Sequence, residues 1–292
     1  MKLITKTLPD NFNLFFFGDT HWGSILSTLK GWNKLVGMMH SKYEGCSNNY
    51  GAHGGDMIEA ITVDDYRFDI EELKKKQKDG ETPVVPLEQA DYAAKKLEPI
   101  KDKLLYILMG NHERKLTNIG NLTRSVANQL GVDYGTYTAK ITIQDTSGNL
   151  MFKIYDTHGT RSINSTADDP IRKEANEQLI LKRHLKHKAG DCAVMIKHHV
   201  HKLIVCKPKS TLYLTDDTKK IKQKYTTYGQ TEEYIHPDAR WYGCAGAFLR
   251  LYGDGISGYA EIAEYDPVEL GFLILIVRRK RIVELRPIYL NL

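Results

Sequence analysis

Leu14-Phe15-Phe16-Phe17-Gly18-Asp19-Thr20-His21 decides the fold class. Four consecutive large apolar residues predict a strand buried on both faces, because a strand with one wet face alternates apolar and polar positions. Gly18 ends the run, which leaves Asp19 and His21 on the loop at the strand's carboxyl end. Ile25, Leu29, Trp32, Val36 and Met39 follow at spacings of three and four, predicting an amphipathic helix with Ser24 as its N-cap. Strand, polar loop and helix form the unit of an α/β sheet, whose binding sites lie beyond the strands' carboxyl ends.

The same order recurs along the chain. Leu104 to Met109 reads as a strand that exits through Gly110-Asn111-His112-Glu113. Met151 to Tyr155 leads to His158, and Ala193 to Ile196 leads to His199-Val200-His201. Helices are expected over Leu87 to Leu97, stopped by Pro99, over Asn121 to Leu130, closed by Gly131, and over Pro170 to Lys188. One block breaks the pattern. Asn48 to Gly54, ahead of Gly55-Asp56, is polar and Gly-rich and reads as a poor strand. Past His201 the chain turns β-rich. Leu212 to Leu214 and Lys224 to Tyr228 flank Asp-Asp-Thr-Lys-Lys as a hairpin, and Tyr259 to Tyr265, Phe272 to Val277 and Arg281 to Leu285 read as strands. With no repeat and no linker, a single domain is expected over residues 1–292, with a charged surface excursion at about 62–86 and a Lys-rich hairpin at about 205–230.

Composition narrows the class. A chain of 292 residues, 41% hydrophobic and 26% charged, can bury a large core. No apolar run reaches the ~18–20 residues that span a bilayer, so no membrane association is expected. The first residues lack the apolar stretch of a signal peptide. Cys46, Cys192, Cys206 and Cys244 show no CxxC spacing and read as reduced, mostly buried thiols, which together places the expected location in the cytoplasm. The net charge of +5 is uneven: residues 1–150 carry 18 Lys and Arg against 19 Asp and Glu, whereas residues 151–292 carry 23 against 17. The second half therefore favours an anionic partner.

The polar blocks at the strand exits carry the chemistry. Asp19, His21, Asp56, Asn111, His112, His158, His199 and His201 supply oxygen and imidazole groups and no thiol. Such a set suits Mn, Fe, Zn or Ni better than Ca, and the absence of Cys argues against a structural zinc site. Two cations ~3.5–4 Å apart bind both a nucleophilic hydroxide and the oxygens of a phosphoryl group. Asp56 is the candidate for the carboxylate that bridges them. A histidine close by that does not ligate can protonate the leaving alkoxide, and His112 is the candidate.

The order DxH, GD, GNHE, H, HxH resembles the calcineurin-like metallophosphoesterase superfamily over Asp19 to His201. The resemblance implies an α/β fold: a two-sheet β-sandwich flanked by helices on both outer faces. It implies two divalent transition-metal ions, Mn first among them. Asp19, His21 and His201 are then ligands of one ion, Asp56 is the bridge, and Asn111, His158 and His199 are ligands of the other. His112 becomes the proton donor. The family's last block is usually GHxH, and here His198 stands in place of that Gly, so His198 and His199 compete for the ligand role; spacing to His201 favours His199. The protein Ser/Thr phosphatases of the superfamily carry GDxVDRG and RGNHE. Gly55-Asp56-Met57-Ile58-Glu59-Ala60 and Met109-Gly110-Asn111-His112-Glu113 lack both arginines. An Arg fork is the natural ligand of a doubly charged monoester. The resemblance therefore leans to the phosphodiesterase and nuclease branch, with nucleic acid or a nucleotide as the partner and no protein partner identified. A phosphomonoesterase is the alternative enzyme, and a non-catalytic scaffold of the same fold is the alternative from another class.

His53, in the Gly-rich loop beside Asp56, is a candidate phosphate contact. The segment Lys202 to Lys224 holds seven lysines against Asp216 and Asp217, so Lys219, Lys220, Lys222 and Lys224 are candidates for tracking a phosphate backbone, with Tyr213, Tyr225 and Tyr228 available to stack on bases. His184 and His187 read as a solvated helix face, and His40 and His236 as surface residues. Arg278 to Arg281 reads as a turn between strands.

Overall fold

The computed structural model describes residues 1–62, 76–77, 80–81, 86–255 and 259–291. In chain order these form β1 (Lys2–Thr7), β2 (Phe12–Phe17), α1 (Leu29–His40), β3 (Asn49–His53), β4 (Lys76–Gln77), β5 (Gly80–Glu81), α2 (Pro86–Leu97), β6 (Leu104–Ile107), α3 (Asn111–Lys115), α4 (Leu122–Leu130), β7 (Asp133–Tyr134), β8 (Thr138–Gln144) and β9 (Leu150–Thr157). The second half adds α5 (Pro170–Leu185), β10 (Val194–Lys197), β11 (Leu203–Cys206), β12 (Leu212–Asp216), β13 (Ile221–Tyr225), β14 (Trp241–Ala245), α6 (Tyr259–Ile262), β15 (Gly271–Arg278) and β16 (Arg281–Tyr289). Most of the expected excursion at about 62–86 lies outside the described residues.

β2 is buried at every position, as its unbroken apolar run requires. It pairs antiparallel with β15 and parallel with β3, inside a mixed sheet ordered β16-β15-β2-β3-β6-β7. A second mixed sheet runs β1-β8-β9-β10-β14-β11. The fold is thus α/β, with two large mixed sheets and six helices among the described residues, an arrangement compatible with a sandwich.

The alternation of β2 sorts its aromatic rings. Phe12, Leu14 and Phe16 share a cluster with Ile141 and Ile143 of β8, Phe152 and Ile154 of β9, and Val194 and Ile196 of β10. Phe15 and Phe17, on the opposite face, cluster with Trp32, Leu35 and Met39 of α1, with Ala93 and Leu97 of α2, and with Val126 of α4. Leu181 and Leu185 of α5 cluster with Tyr155, Met195 and Tyr242 of the second sheet.

Several expectations need correcting. α1 begins at Leu29, where the Thr28 hydroxyl accepts from Gly31 N; Ser24 instead caps a local turn by accepting from Leu26 N. Trp22 N donates to Met57 O and the Ser27 hydroxyl to Thr20 O, which holds the chain off the helical path until Thr28. The polar Asn49–His53 segment is an interior strand after all. Asn49 Nδ2 donates to carbonyls of Met38, Met39 and Ser41, and a Cβ on Gly51 would stand 2.9 Å from Met39 Cε and 3.0 Å from Phe17 Cε1. The absent side chain is what lets α1 and β2 close over it. Tyr259 to Tyr265 is not a strand. Its first residues form the short helix α6, in keeping with an Ala- and Glu-containing segment. His184 is half-buried rather than on a solvated face; burial, then the charges of Arg161 and Lys197, lower its pKa to about 4.

The expected hairpin of β12 and β13 forms, with its second strand at Ile221–Tyr225 rather than Lys224 to Tyr228, and the Arg279–Lys280 turn links β15 and β16 as expected. All four cysteines are free, and Cys46, Cys192 and Cys244 are buried. No helix among the described residues is long and apolar enough to cross a membrane.

Candidate metal centre

Both sheets direct strand exits to one place. β2 ends at Asp19 and His21, β3 at Asp56, and β6 at Asn111 and His112. From the second sheet, β9 ends at His158 and β10 at His199 and His201. The loops interlock through their backbones. Asp19 N donates to Gly55 O at 2.9 Å, and His21 N donates to Asp56 O at 3.1 Å. Gly110 N and Ile58 N donate to the two carboxylate oxygens of Glu113 at 2.9 and 3.1 Å, which ties the loop after β3 to the start of α3. A Cβ on Gly110 would fall 2.0 Å from both Asp56 N and Asp56 Oδ1, so only glycine admits this approach.

The backbone is strained where the side chains converge. Asp19, His21, Asp56, His199 and His201 have φ of 49°, 47°, 47°, 74° and 56°. Non-glycine residues seldom adopt this left-handed region, and clusters of such residues mark functional sites.

Three overlapping groups result: Asp19, His21 and His201; His21, Asp56 and His112; and Asp56, His158 and His199. Within each, the candidate ligand atoms lie within 4.8 Å of one another. Asn111 Oδ1 joins the third group at 2.9 Å from His158 Nε2, which is itself 3.2 Å from Asp56 Oδ2. The structure therefore brings together all seven residues expected as ligands, with His112 among them.

The donor set fits divalent cations. Asp19 Oδ1 and His21 Nε2 are buried without a hydrogen-bond partner among the described residues. Buried polar atoms are seldom left so. His201 Nε2 lies 3.2 Å from Asp19 Oδ1 without hydrogen-bonding geometry. The candidate ligand rings are oriented from behind: His21 Nδ1 contacts Glu59 Oε2 at 2.9 Å, and His158 Nδ1 contacts Gly54 O at 2.8 Å. Such outer partners fix the tautomer that presents Nε2 inward. His112 Nδ1 bonds the Glu59 carbonyl, which makes Nε2 the nitrogen able to carry a further proton.

Electrostatics follow from burial and crowding. Burial pushes Asp19 up, but the close contact and charge of His201 and the charge of His158 bring its pKa below the usual carboxylate range. Burial likewise opposes Asp56, and His158 and His112 outweigh it. His158 is lowered by burial but raised to about 9 overall by Asp56 and Asp19. Burial, with His158 nearby, drops His199 to about 4. Burial and the Asp56 charge raise Glu113 to about 7.

His198 is not part of the cluster. Its Nε2 sits 3.0 Å from Asp156 Oδ1, whose other oxygen accepts from the Tyr106 hydroxyl at 2.7 Å. Its ring covers the loop glycine: a Cβ on Gly54 would stand 2.1 Å from it. The structure does not bring His53 into the group either. His53 is fully buried, with Nε2 3.2 Å from the Thr20 hydroxyl and Nδ1 accepting from Gly55 N. Lys219, Lys220, Lys222 and Lys224 are exposed on the hairpin. β11 runs antiparallel to β14 and so carries the chain from His201 to the opposite end of the sheet before the hairpin begins. Lys222 is also engaged, 2.6 Å from Asp217 Oδ2.

Sequence reading did not single out Glu59 or Asp156, or the loop-tying part played by Glu113. Glu113 carried a signal as the last letter of GNHE, whereas Glu59 and Asp156 became visible only through their partners. No protein-family model matches the sequence, and no curated protein matches it.

Proposed function

We propose that this chain is a two-metal phosphoesterase of the calcineurin-like metallophosphoesterase type, acting on phosphodiesters of nucleic acid or nucleotides. The observation that carries the reading is the set of overlapping Asp and His groups, with Asp56 common to two of them. In this reading the two sheets are the inner layers of an αββα sandwich, with α1, α2 and α4 outside one and α5 outside the other.

Asp19, His21 and His201 would hold one cation and Asn111, His158 and His199 the other, with Asp56 shared. Two divalent cations there, Mn or a similar transition metal, would polarise a phosphoryl oxygen and lower the pKa of water. The protein's own contribution is positional. The amide of His199 fixes one oxygen of Asp19, and the amide of His112 fixes one oxygen of Asp56, each leaving the second oxygen to face the group. Glu59 sets the ring plane of His21 and, through its carbonyl, that of His112. His112 Nε2 then delivers a proton to the departing oxygen as the P–O bond breaks.

The diester preference rests on charge. The ligand blocks contain no arginine, and Arg114, immediately after Glu113, lies over the Tyr137 ring at 5.6 Å. A monoester dianion asks for a bidentate clamp, whereas a diester monoanion asks for less.

The test is a substrate panel with Mn, Ni or Zn restored after chelation: single- and double-stranded DNA, RNA, cyclic nucleotides, and matched aryl mono- and diesters. Hydrolysis of diesters, faster than of the matching monoester, is expected. A monoester preference under every metal would make the chain a phosphomonoesterase, and no hydrolysis under any metal would leave a scaffold.

A further inference from the structure

The end of the second sheet farthest from the metal-type group holds a cavity of about 400 Å³, within the range of small-molecule sites. β10 and β14 run parallel toward that group, so Trp241, the first residue of β14, marks the far end, and antiparallel β11 delivers Lys207 beside it. Tyr228, Gln230, Arg281 and Ile282 complete the part of the wall that matters here.

Chemistry divides the lining. Gln230 is fully engaged: Nε2 donates to Met151 O and Lys280 O, and Oε1 accepts from Ile282 N, so it fastens the wall rather than facing a ligand. Lys207 and Arg281 are exposed, and among the described residues neither side chain makes an ion pair or a hydrogen bond. Among the described residues, no acidic side chain lines the cavity. Trp241 and Tyr228 add aromatic surface, Trp241 partly buried against the core. Uncompensated cations beside aromatic rings are what a nucleotide needs: a planar base to stack and a phosphate to neutralise.

The chain connectivity points to a strand rather than a free nucleotide. Pro208 and Tyr228 both line the cavity, and the hairpin of β12 and β13 rises between them. That hairpin exposes Lys219, Lys220 and Lys224 together with Tyr213 and Tyr225, so cationic and aromatic surface continues outward from the cavity rim. A free nucleotide would use none of it.

We propose that this cavity binds one nucleotide unit of a single-stranded nucleic acid, with its base on Trp241 and Tyr228 and its phosphate on Lys207 and Arg281. The site is separate from the metal-type group and does not depend on hydrolysis.

The experiment uses the full chain stripped of metal with chelator, so that no probe is cleaved and the phosphoesterase reading can fail without touching the outcome. A fluorescein-labelled dT12 is titrated and followed by anisotropy, with tryptophan emission read in parallel. Trp22 and Trp32 are 1% and 2% exposed, so quenching by the probe reports Trp241. Saturable binding with quenching is expected. Trp241→Ala should weaken it at least about fivefold, the low end for loss of one stacked base. The double change Lys207→Ser and Arg281→Ser, at exposed positions that leave the fold intact should Trp241→Ala lose it, should flatten the log–log salt slope by about 0.7, the value for one single-strand phosphate. Absence of binding, or unchanged affinity and slope in the double variant, overturns the proposal. Displacement of dT12 by AMP at equal nucleotide concentration overturns the strand assignment, and displacement by inorganic phosphate alone overturns the base contact.

Discussion

The backbone amide of His199 donates to Asp19 Oδ2 at 3.1 Å, joining residues 180 positions apart in the chain. The bond links the exit of β10 in one sheet to the exit of β2 in the other. It holds one oxygen of Asp19 in place, while Oδ1, buried and 3.2 Å from His201 Nε2, is left without a hydrogen bond. The centre therefore exists only where both sheets keep their register.

Asp56 belongs to two of the three side-chain groups. Asp56→Asn should weaken the binding of both cations, seen as a metal content falling from near two per chain toward one or none after dialysis against Mn. Full double occupancy with unchanged turnover would remove Asp56 as the shared ligand.

His112 is 4% exposed and orients its ring through the Glu59 carbonyl. His112→Asn should keep the fold and both metals while slowing a DNA or ribose diester about 10²–10⁴-fold, the usual contribution of a positioned general acid. A nitrophenolate leaving group needs little protonation, so the loss there should be much smaller. Loss of a metal ion would make His112 a ligand, and an equal loss on every leaving group would assign it to charge stabilisation.

His198 and His199 are adjacent in sequence but differ in what they touch. His198→Gly removes a ring buried against Gly54 and leaves Asp156 with one partner fewer. A buried acceptor left without its partner costs about 1–3 kcal/mol and the lost ring leaves a void besides, so thermal unfolding should shift down markedly while metal stoichiometry stays at the wild-type value. His199→Ala should do the reverse, losing metal with a small change in stability. If the two variants exchanged these phenotypes, the ligand assignment would move to His198.

The lysine hairpin is rooted away from the metal-type group. Replacing Lys219, Lys220, Lys222 and Lys224 with Ser should weaken nucleic-acid binding and leave turnover of a small aryl diester nearly unchanged. Because Lys222 already pairs with Asp217, the salt slope should flatten by about 2, the value for three single-strand contacts rather than four. Equal affinity before and after replacement would leave the hairpin as solvated surface.

Much of this was legible where local pattern and burial agree. The apolar run of β2, the glycine-closed helix α4 and the Asp- and His-bearing blocks at the strand exits all carry their own signal. β3 is not legible as a strand because its burial comes from packing that a polar, Gly-containing sequence conceals: Asn49 satisfies helix-end carbonyls and Gly51 makes room for Phe17. β8 does carry a local signal absent from the strand readings above, an alternation of buried and half-buried positions from Thr138 to Gln144. β11 and β14 are short and their partners lie far along the chain, so nothing local marks them. At the site, residue types were readable but orientation was not: His53 and His198 look as available as His199 until the contacts to Thr20 and Asp156 are seen.

The left-handed backbone at Asp19, His21, Asp56, His199 and His201 also bears on how long the protein survives. Each such residue costs roughly 1–2 kcal/mol relative to ordinary backbone, so together they draw on a net stability of only about 5–15 kcal/mol. Glycine at any of them would relieve strain while deleting a candidate ligand, and a library screened for heat resistance alone should collect glycines there. Cations bound as proposed would offset the same cost by mass action. Metal starvation should then shorten the protein's half-life in a cell as well as silence it, and a pulse-chase with and without chelator would measure by how much.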